Sequence, residues 1–160
     1  MKISDYEMNQ YSVKSAPDTL KAEGNVTPRD IKHIFDRLPE FIAQKKGHII
    51  VTSSRAGTMS VPGNAVYCGT KHFVRAMLDS FRSESIREGT NIRTTTIYPG
   101  AIKTELLNAV AESEAKNMIS QFYENVGLTP DVIANAVLYA VSQPDNVAVP
   151  DLVVCPSMEG

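Results

Sequence analysis

The chain has no tryptophan, only two cysteines in 160 residues, and no long apolar run. Each shortage closes off a class of protein. Cys68 and Cys155 are far apart and match no metal-ligand spacing. That sets aside a disulfide framework and a cysteine-based metal site, and is expected of reduced thiols in a cytoplasmic protein. A membrane-spanning helix needs about 18 or more consecutive apolar residues, and none occurs. The stretch Met1–Leu20 also lacks the apolar core of a secretory signal. Charge of one sign is missing too: 16 Lys and Arg face 18 Asp and Glu, a formal net charge of -2. No electrostatic footprint for nucleic acid or an anionic membrane results. With 42% hydrophobic and 21% charged residues, the chain reads as a globular protein long enough to bury a core.

Residues 1–25 are polar and weakly patterned, and are expected to be a poorly ordered lead to a domain over 26–160. Order is expected from Thr27-Pro28-Arg29-Asp30, a capping residue followed by a first-turn proline and an acid at the positive end of the helix. Ile31, Ile34, Phe35, Leu38, Phe41 and Ile42 recur at helical spacing and predict a helix over 28–46. Pro39 should bend it without ending it.

His48-Ile49-Ile50-Val51-Thr52 is short, apolar and β-branched, the pattern of a strand covered on both faces. A polar loop over 53–63 leads to a long helix over 64–87, with Val74, Met77, Leu78 and Phe81 on its apolar face and Gly89 beyond its end. Ile92–Tyr98 predicts a second strand, closed by Pro99-Gly100. The stretch 104–127 is amphipathic and mixed. Its apolar members include Met118, Phe122 and Tyr123. Thr129-Pro130-Asp131 starts another helix, and Val147–Cys155 predicts the last strand. The order α-β-α-β-α-β argues for a parallel α/β sheet, whose ligands lie beyond the C-terminal strand ends. Ser54 and Pro99-Gly100 both fall there.

Tyr67 and Lys71 stand at i and i+4, on one helix face. A phenol with its ordinary pKa near 10 is a poor base at neutral pH, and a neighbouring ammonium stabilises the phenolate. Ser54 at the strand end can donate a hydrogen bond to an oxygen that gains charge. A Tyr-x-x-x-Lys spacing arises by chance in roughly one such chain in three, and a solvated surface pair is the plain alternative. The surroundings carry the weight: a strand, a serine at its end, 13 residues to the tyrosine, a helix, then a strand ending Pro-Gly.

This constellation resembles the short-chain dehydrogenases/reductases over about Leu38 to Cys155. Gly47–Ser54 resembles the family's fifth strand and catalytic serine, Tyr67 and Lys71 match its active-site motif, and Pro99-Gly100-Ala101-Ile102-Lys103-Thr104 is similar to its Pro-Gly-x-x-x-Thr element. The resemblance implies the C-terminal part of a Rossmann-like doubly wound parallel sheet. It implies Ser54 polarising a carbonyl, Tyr67 as general acid/base, and Lys71 binding nicotinamide ribose and lowering the Tyr67 pKa. Tyr67, Lys71, Pro99, Gly100, Ile102 and Thr104 would then line the cofactor, with Ile102 and Thr104 at the carboxamide. The run from Leu128-Thr129-Pro130-Asp131 to Gln143-Pro144 is similar to a bacterial NADP-preferring branch, so NADP is the implied cofactor and NAD the alternative. No metal is implied.

Two departures qualify it. The family's glycine-rich first unit, which holds the pyrophosphate, is not in this sequence. The helix asparagine of its proton relay falls by spacing on Val26, with Asn25 one residue off. Three roles follow: an oxidoreductase acting on a small carbonyl/alcohol substrate, an inactive truncated remnant acting by association, or an incomplete gene model. Helices 28–46 and 64–87 resemble the family's dimer-forming pair, so a homo-oligomer is expected. The strand at 48–51 would lack a neighbour on one side unless residues 1–25 cover it, which predicts a marginal, association-prone monomer.

Overall fold

The computed structural model describes residues 28–105 and 114–159. The lead over 1–25, the Thr27 cap, Asn25 and Val26, and Leu106 and Leu107 lie outside the described residues. Helix α1 spans Pro28–Gln44 and runs through Pro39. It ends where Lys45 takes a left-handed conformation (φ 50°), with Lys45 N–H bonded to Ile42 C=O and Lys46 N–H to Phe41 C=O, both at 3.2 Å. That paired closure satisfies carbonyls that the helix leaves open.

Strand β1 covers Gly47–Thr52, helix α2 Ala65–Glu88, and strand β2 Ile92–Pro99. Helix α3 spans Glu114–Val126, helix α4 Pro130–Val141, and strand β3 Asp151–Val154. The three strands form one parallel sheet in the order β1-β2-β3. Among the described residues β1 pairs with β2 alone. This is the α/β arrangement expected of the C-terminal part of a Rossmann-like sheet.

Alternation along the strands divides the side chains between two faces. Ile49, Val51 and Ile92 meet Leu38, Phe41 and Ile42 of α1 and Met77, Leu78 and Phe81 of α2, forming the hydrophobic core. The adjacent residue Arg93 turns to the other face, where its Nη1 donates to the carbonyls of Gln143 and Pro144 just after α4. Helix α4 packs on β2 and β3. The sheet is thus covered on both sides.

The turn from α2 into β2 is held by one buried hydroxyl. Gly89 caps α2 with φ 64°, and Ser85 Oγ accepts from Ile92 N–H at 3.0 Å and lies 2.7 Å from Thr90 Oγ1. The last strand differs from expectation. It is shorter than 147–155, because Pro150 has no N–H to offer and the Val149 carbonyl accepts from the Thr95 hydroxyl at 2.7 Å.

All three strands point their C-terminal ends to one rim. Ser54 follows β1, Gly100 to Thr104 follow β2, and Cys155 to Glu159 follow β3.

Candidate active site

The loop leaving β1 is locked onto α2 by two close approaches. Ser53 continues the ladder, its N–H donating to Ile97 C=O at 2.7 Å. Its buried hydroxyl donates to the backbone carbonyl of Lys71 at 3.2 Å. Gly57 then passes so near that a Cβ there would lie 2.8 Å from Ser53 Oγ and 2.9 Å from Lys71 O. Between them Ser54 is extended (φ -162°, ψ 159°) and caps a short 3-10 turn over Arg55–Gly57, its Oγ accepting from Ala56 N–H at 3.2 Å. As that N–H uses an oxygen lone pair, the Ser54 O–H keeps its donor capacity.

Helix α2 carries the other two groups in the relation its periodicity demands. Lys71 is 3% exposed, and its Nζ lies 5.5 Å from the centroid of the half-buried Tyr67 ring, within cation–π range. Burial pushes the Lys71 ammonium below its ordinary pKa of 10.5. A lysine seldom gives up its hydration for packing alone, so its position under the tyrosine ring makes this pair a candidate site.

The turn after β2 lies on the same rim. Gly100 N–H donates to Val154 C=O at 2.8 Å. Ala101 and Ile102 are buried, and Ile102 bridges Leu128 in parallel fashion. The bonds run from Leu128 N–H to Ala101 C=O and from Lys103 N–H to Leu128 C=O. Ile102's own peptide groups therefore face the side away from Leu128. Thr104 is exposed. From α3, Tyr123 is half-buried, while Met118 and Phe122 are exposed. Burial pushes the Tyr123 phenol above its ordinary pKa of 10, and neighbouring Tyr67 and Glu159 push the same way.

The structure brings Tyr67 and Lys71 together and fastens the Ser54 loop to the same helix. It places Pro99, Gly100 and Ile102 on the adjoining turn. Three further residues were not singled out from sequence: Ser53, Arg55 and Glu159. The serine doublet was a visible signal for the first. Glu159, four residues beyond Cys155, has no local signature. Among the described residues no helix is long and apolar enough to cross a membrane.

Residues 32–115 match the model of the short chain dehydrogenase family. An uncharacterized oxidoreductase of Listeria monocytogenes is 51% identical over 122 residues, 76% of this chain and 49% of that protein. An NADP-dependent 3-hydroxy acid dehydrogenase of Schizosaccharomyces pombe is 32% identical over 123 residues, 77% of this chain and 47% of that protein. Among solved structures, the closed form of a serine dehydrogenase complexed with NADP+ superposes with a TM-score of 0.69 at 26% identity, over 96% of this chain and 58% of that one. The chain spans about half the length of the curated relatives it matches. Over the part that it shares with them, from α1 through the rim that bears Tyr67 and Lys71, the chain belongs to the short-chain dehydrogenase family.

Proposed function

We propose that the protein takes part in reversible transfer of hydride between a nicotinamide cofactor and a carbonyl/alcohol pair, with Tyr67 as the general acid/base. The observation that carries this reading is Lys71, buried beneath the Tyr67 ring with Nζ 5.5 Å from its centroid. In the reductive direction the Ser54 hydroxyl donates to the substrate carbonyl oxygen, Tyr67 delivers a proton to that oxygen, and the Lys71 ammonium stabilises the resulting phenolate. The cofactor, when bound, supplies the hydride. The rim fits its nicotinamide end: the outward peptide groups of Ile102 suit a carboxamide, with Thr104, Pro99 and Gly100 on the same turn, and Lys71 suits ribose hydroxyls. The Schizosaccharomyces relative is NADP-dependent and the serine dehydrogenase neighbour is complexed with NADP+, which supports NADP, with NAD the alternative.

The test is a titration of the chain with NADPH and NADH, followed by fluorescence and by turnover of a panel of small ketones and secondary alcohols. Binding of either cofactor with turnover is the expected result. Tyr67→Phe should abolish turnover by 10²-fold or more, about the lower bound for losing an acid/base group, and leave binding nearly intact. No binding by the wild-type chain at millimolar cofactor would overturn the reading.

A second reading, association through helix surfaces, is favoured by the exposure of Val66, Phe73 and Ile86 on α2. It concerns a homo-oligomer formed by the 28–46 and 64–87 helices. Sedimentation of a stable monomer at micromolar concentration would remove it.

A further inference from the structure

The rim is assembled from loops that follow three different strands, and one side chain links the three. Glu159, after β3, accepts a hydrogen bond on Oε2 from the Ala101 N–H at 2.7 Å. Its Oε1 lies 3.4 Å from Arg55 Nη1, and the same Nη1 donates to the Glu159 main-chain carbonyl at 2.9 Å. Both side chains are only 20% exposed. Arg55 adjoins Ser54 and Ala101 adjoins Ile102. The carboxylate is therefore one residue removed from the hydroxyl proposed to polarise the substrate, and one from the peptide group proposed to meet the cofactor.

Sequence and space agree with this tie. A Cβ at Gly100 would run into the Glu159 carboxylate and lie 2.6 Å from Cys155 Cβ. The Pro-Gly turn accordingly admits the tail because it has no side chain there. The carboxylate also acts on α3: after burial and Tyr67, it disfavours ionisation of Tyr123. The hydrophobic core made by α1, β1, α2 and the start of β2 does not include these residues. The tie thus lies at the rim, outside that cluster.

We propose that Glu159 is a positioning residue, its carboxylate joining the Ser54–Gly57 turn to the Pro99–Ile102 turn and setting the gap between them. Its kinetic consequence rests on the oxidoreductase reading above; the tie itself does not. A misplacement of about 1 Å between reacting groups lowers rate by about 10²-fold. Loss of the carboxylate should therefore lower kcat more than it weakens cofactor binding.

The experiment compares wild type, Glu159→Ala, Glu159→Gln and Arg55→Met in the full chain, by amide hydrogen exchange and by kcat and KM. Glu159→Ala should speed exchange in both 53–57 and 99–103, leave 74–81 of α2 unchanged, and lower kcat about tenfold to 10²-fold. Glu159→Gln retains an acceptor for the Ala101 N–H but not the ion pair. It should restore protection at 99–103 and leave 53–57 as fast as in Glu159→Ala, where Arg55 keeps only its bond to the main-chain carbonyl of residue 159, with kcat between those of wild type and Glu159→Ala. Arg55→Met, which removes that bond as well, should loosen 53–57 further and leave 99–103 protected. If Glu159→Ala leaves either turn as protected as in wild type, or loosens α2 equally, the tie is wrong. Loosened turns with an unchanged kcat overturn the positioning role. If the wild-type chain neither binds cofactor nor turns over, the oxidoreductase reading fails. The exchange pattern then decides the tie by itself.

Discussion

The hydroxyl of Ser53 donates to the main-chain carbonyl of Lys71, 3.2 Å away across 18 residues of sequence. A carbonyl oxygen has two lone pairs, so Lys71 can keep its helical bond while it accepts this second one. The loop bearing Ser54 is consequently registered against the turn of α2 that carries the buried ammonium. Gly57 completes the fit, since there is no room for a Cβ between Ser53 Oγ and Lys71 O.

Substitution at these two positions should separate a lost bond from a clash. Ser53→Ala removes one neutral hydrogen bond but leaves the Lys71 carbonyl its helical partner. The expected cost is about 0.5–1.5 kcal/mol. Gly57→Ala forces an atom against backbone and should cost about 1–3 kcal/mol, and it should lower turnover beyond its effect on stability because Ser54 is displaced. Urea denaturation and kcat on both variants provide the check. A Gly57→Ala protein with wild-type stability would show that the two elements do not pack this closely in solution.

Lys71 makes a pH prediction with a definite sign. Burial lowers its folded pKa below the unfolded 10.5, so in the window between the two the unfolded chain binds more protons. Stability attributable to this group therefore rises with pH across that window and is lost as pH falls through the folded value. The slope from one group is at most about 1.4 kcal/mol per pH unit. Lys71→Met, which buries a chain of similar volume without charge, should flatten that rise while ending turnover. Equal slopes in wild type and Lys71→Met between pH 8 and about 10.5 would show that the amine is solvated.

His48 gives the corresponding effect on the acid side. Its Nε2 lies 2.8 Å from Thr95 Oγ1, and that hydroxyl already donates to Val149 C=O, so Nε2 carries the proton and donates. Nδ1 is buried and has no hydrogen-bond partner among the described residues. Burial, and then the Arg93 charge, lower the pKa below 6.5. Stability from His48 is thus present above pH 6.5 and lost as pH falls through the folded value. His48→Gln should reduce the stability loss on acidification below pH 6.5, measured by urea midpoints at constant ionic strength. An unchanged acid limb would remove His48 from the account.

The elements that were legible in sequence are those set by short-range chemistry. The β-branched run at 48–52, the i,i+4 pair Tyr67 and Lys71, and the Pro-Gly after β2 each declare themselves within a few residues. Val147–Pro150 looked like strand because it is apolar, yet a side chain of β2 takes the Val149 carbonyl and Pro150 cannot donate. The Glu159 contacts were invisible for a different reason. Its partners lie 58 and 104 residues away in sequence, and only sheet topology brings the ends of β1, β2 and β3 to one rim. Periodicity identifies faces, whereas contacts among loops at a shared rim depend on the whole sheet.

Gly100 and Glu159 should behave as one unit under mutation. An alanine Cβ at position 100 would occupy the space of the Glu159 carboxylate, so Gly100→Ala should expel that carboxylate from the Ala101 N–H and reproduce the loss expected of Glu159→Ala. Once the carboxylate is gone, the added methyl has less to meet, and the double variant should be little worse than the more affected single one. Independent sites would instead add to within about 0.3–0.5 kcal/mol. A double-mutant cycle read by urea denaturation, and by kcat where turnover is measurable, distinguishes the two. Strict additivity would mean that the glycine serves another neighbour, with Cys155 Cβ at 2.6 Å the next in line, and that the tail closes over the turn without depending on it.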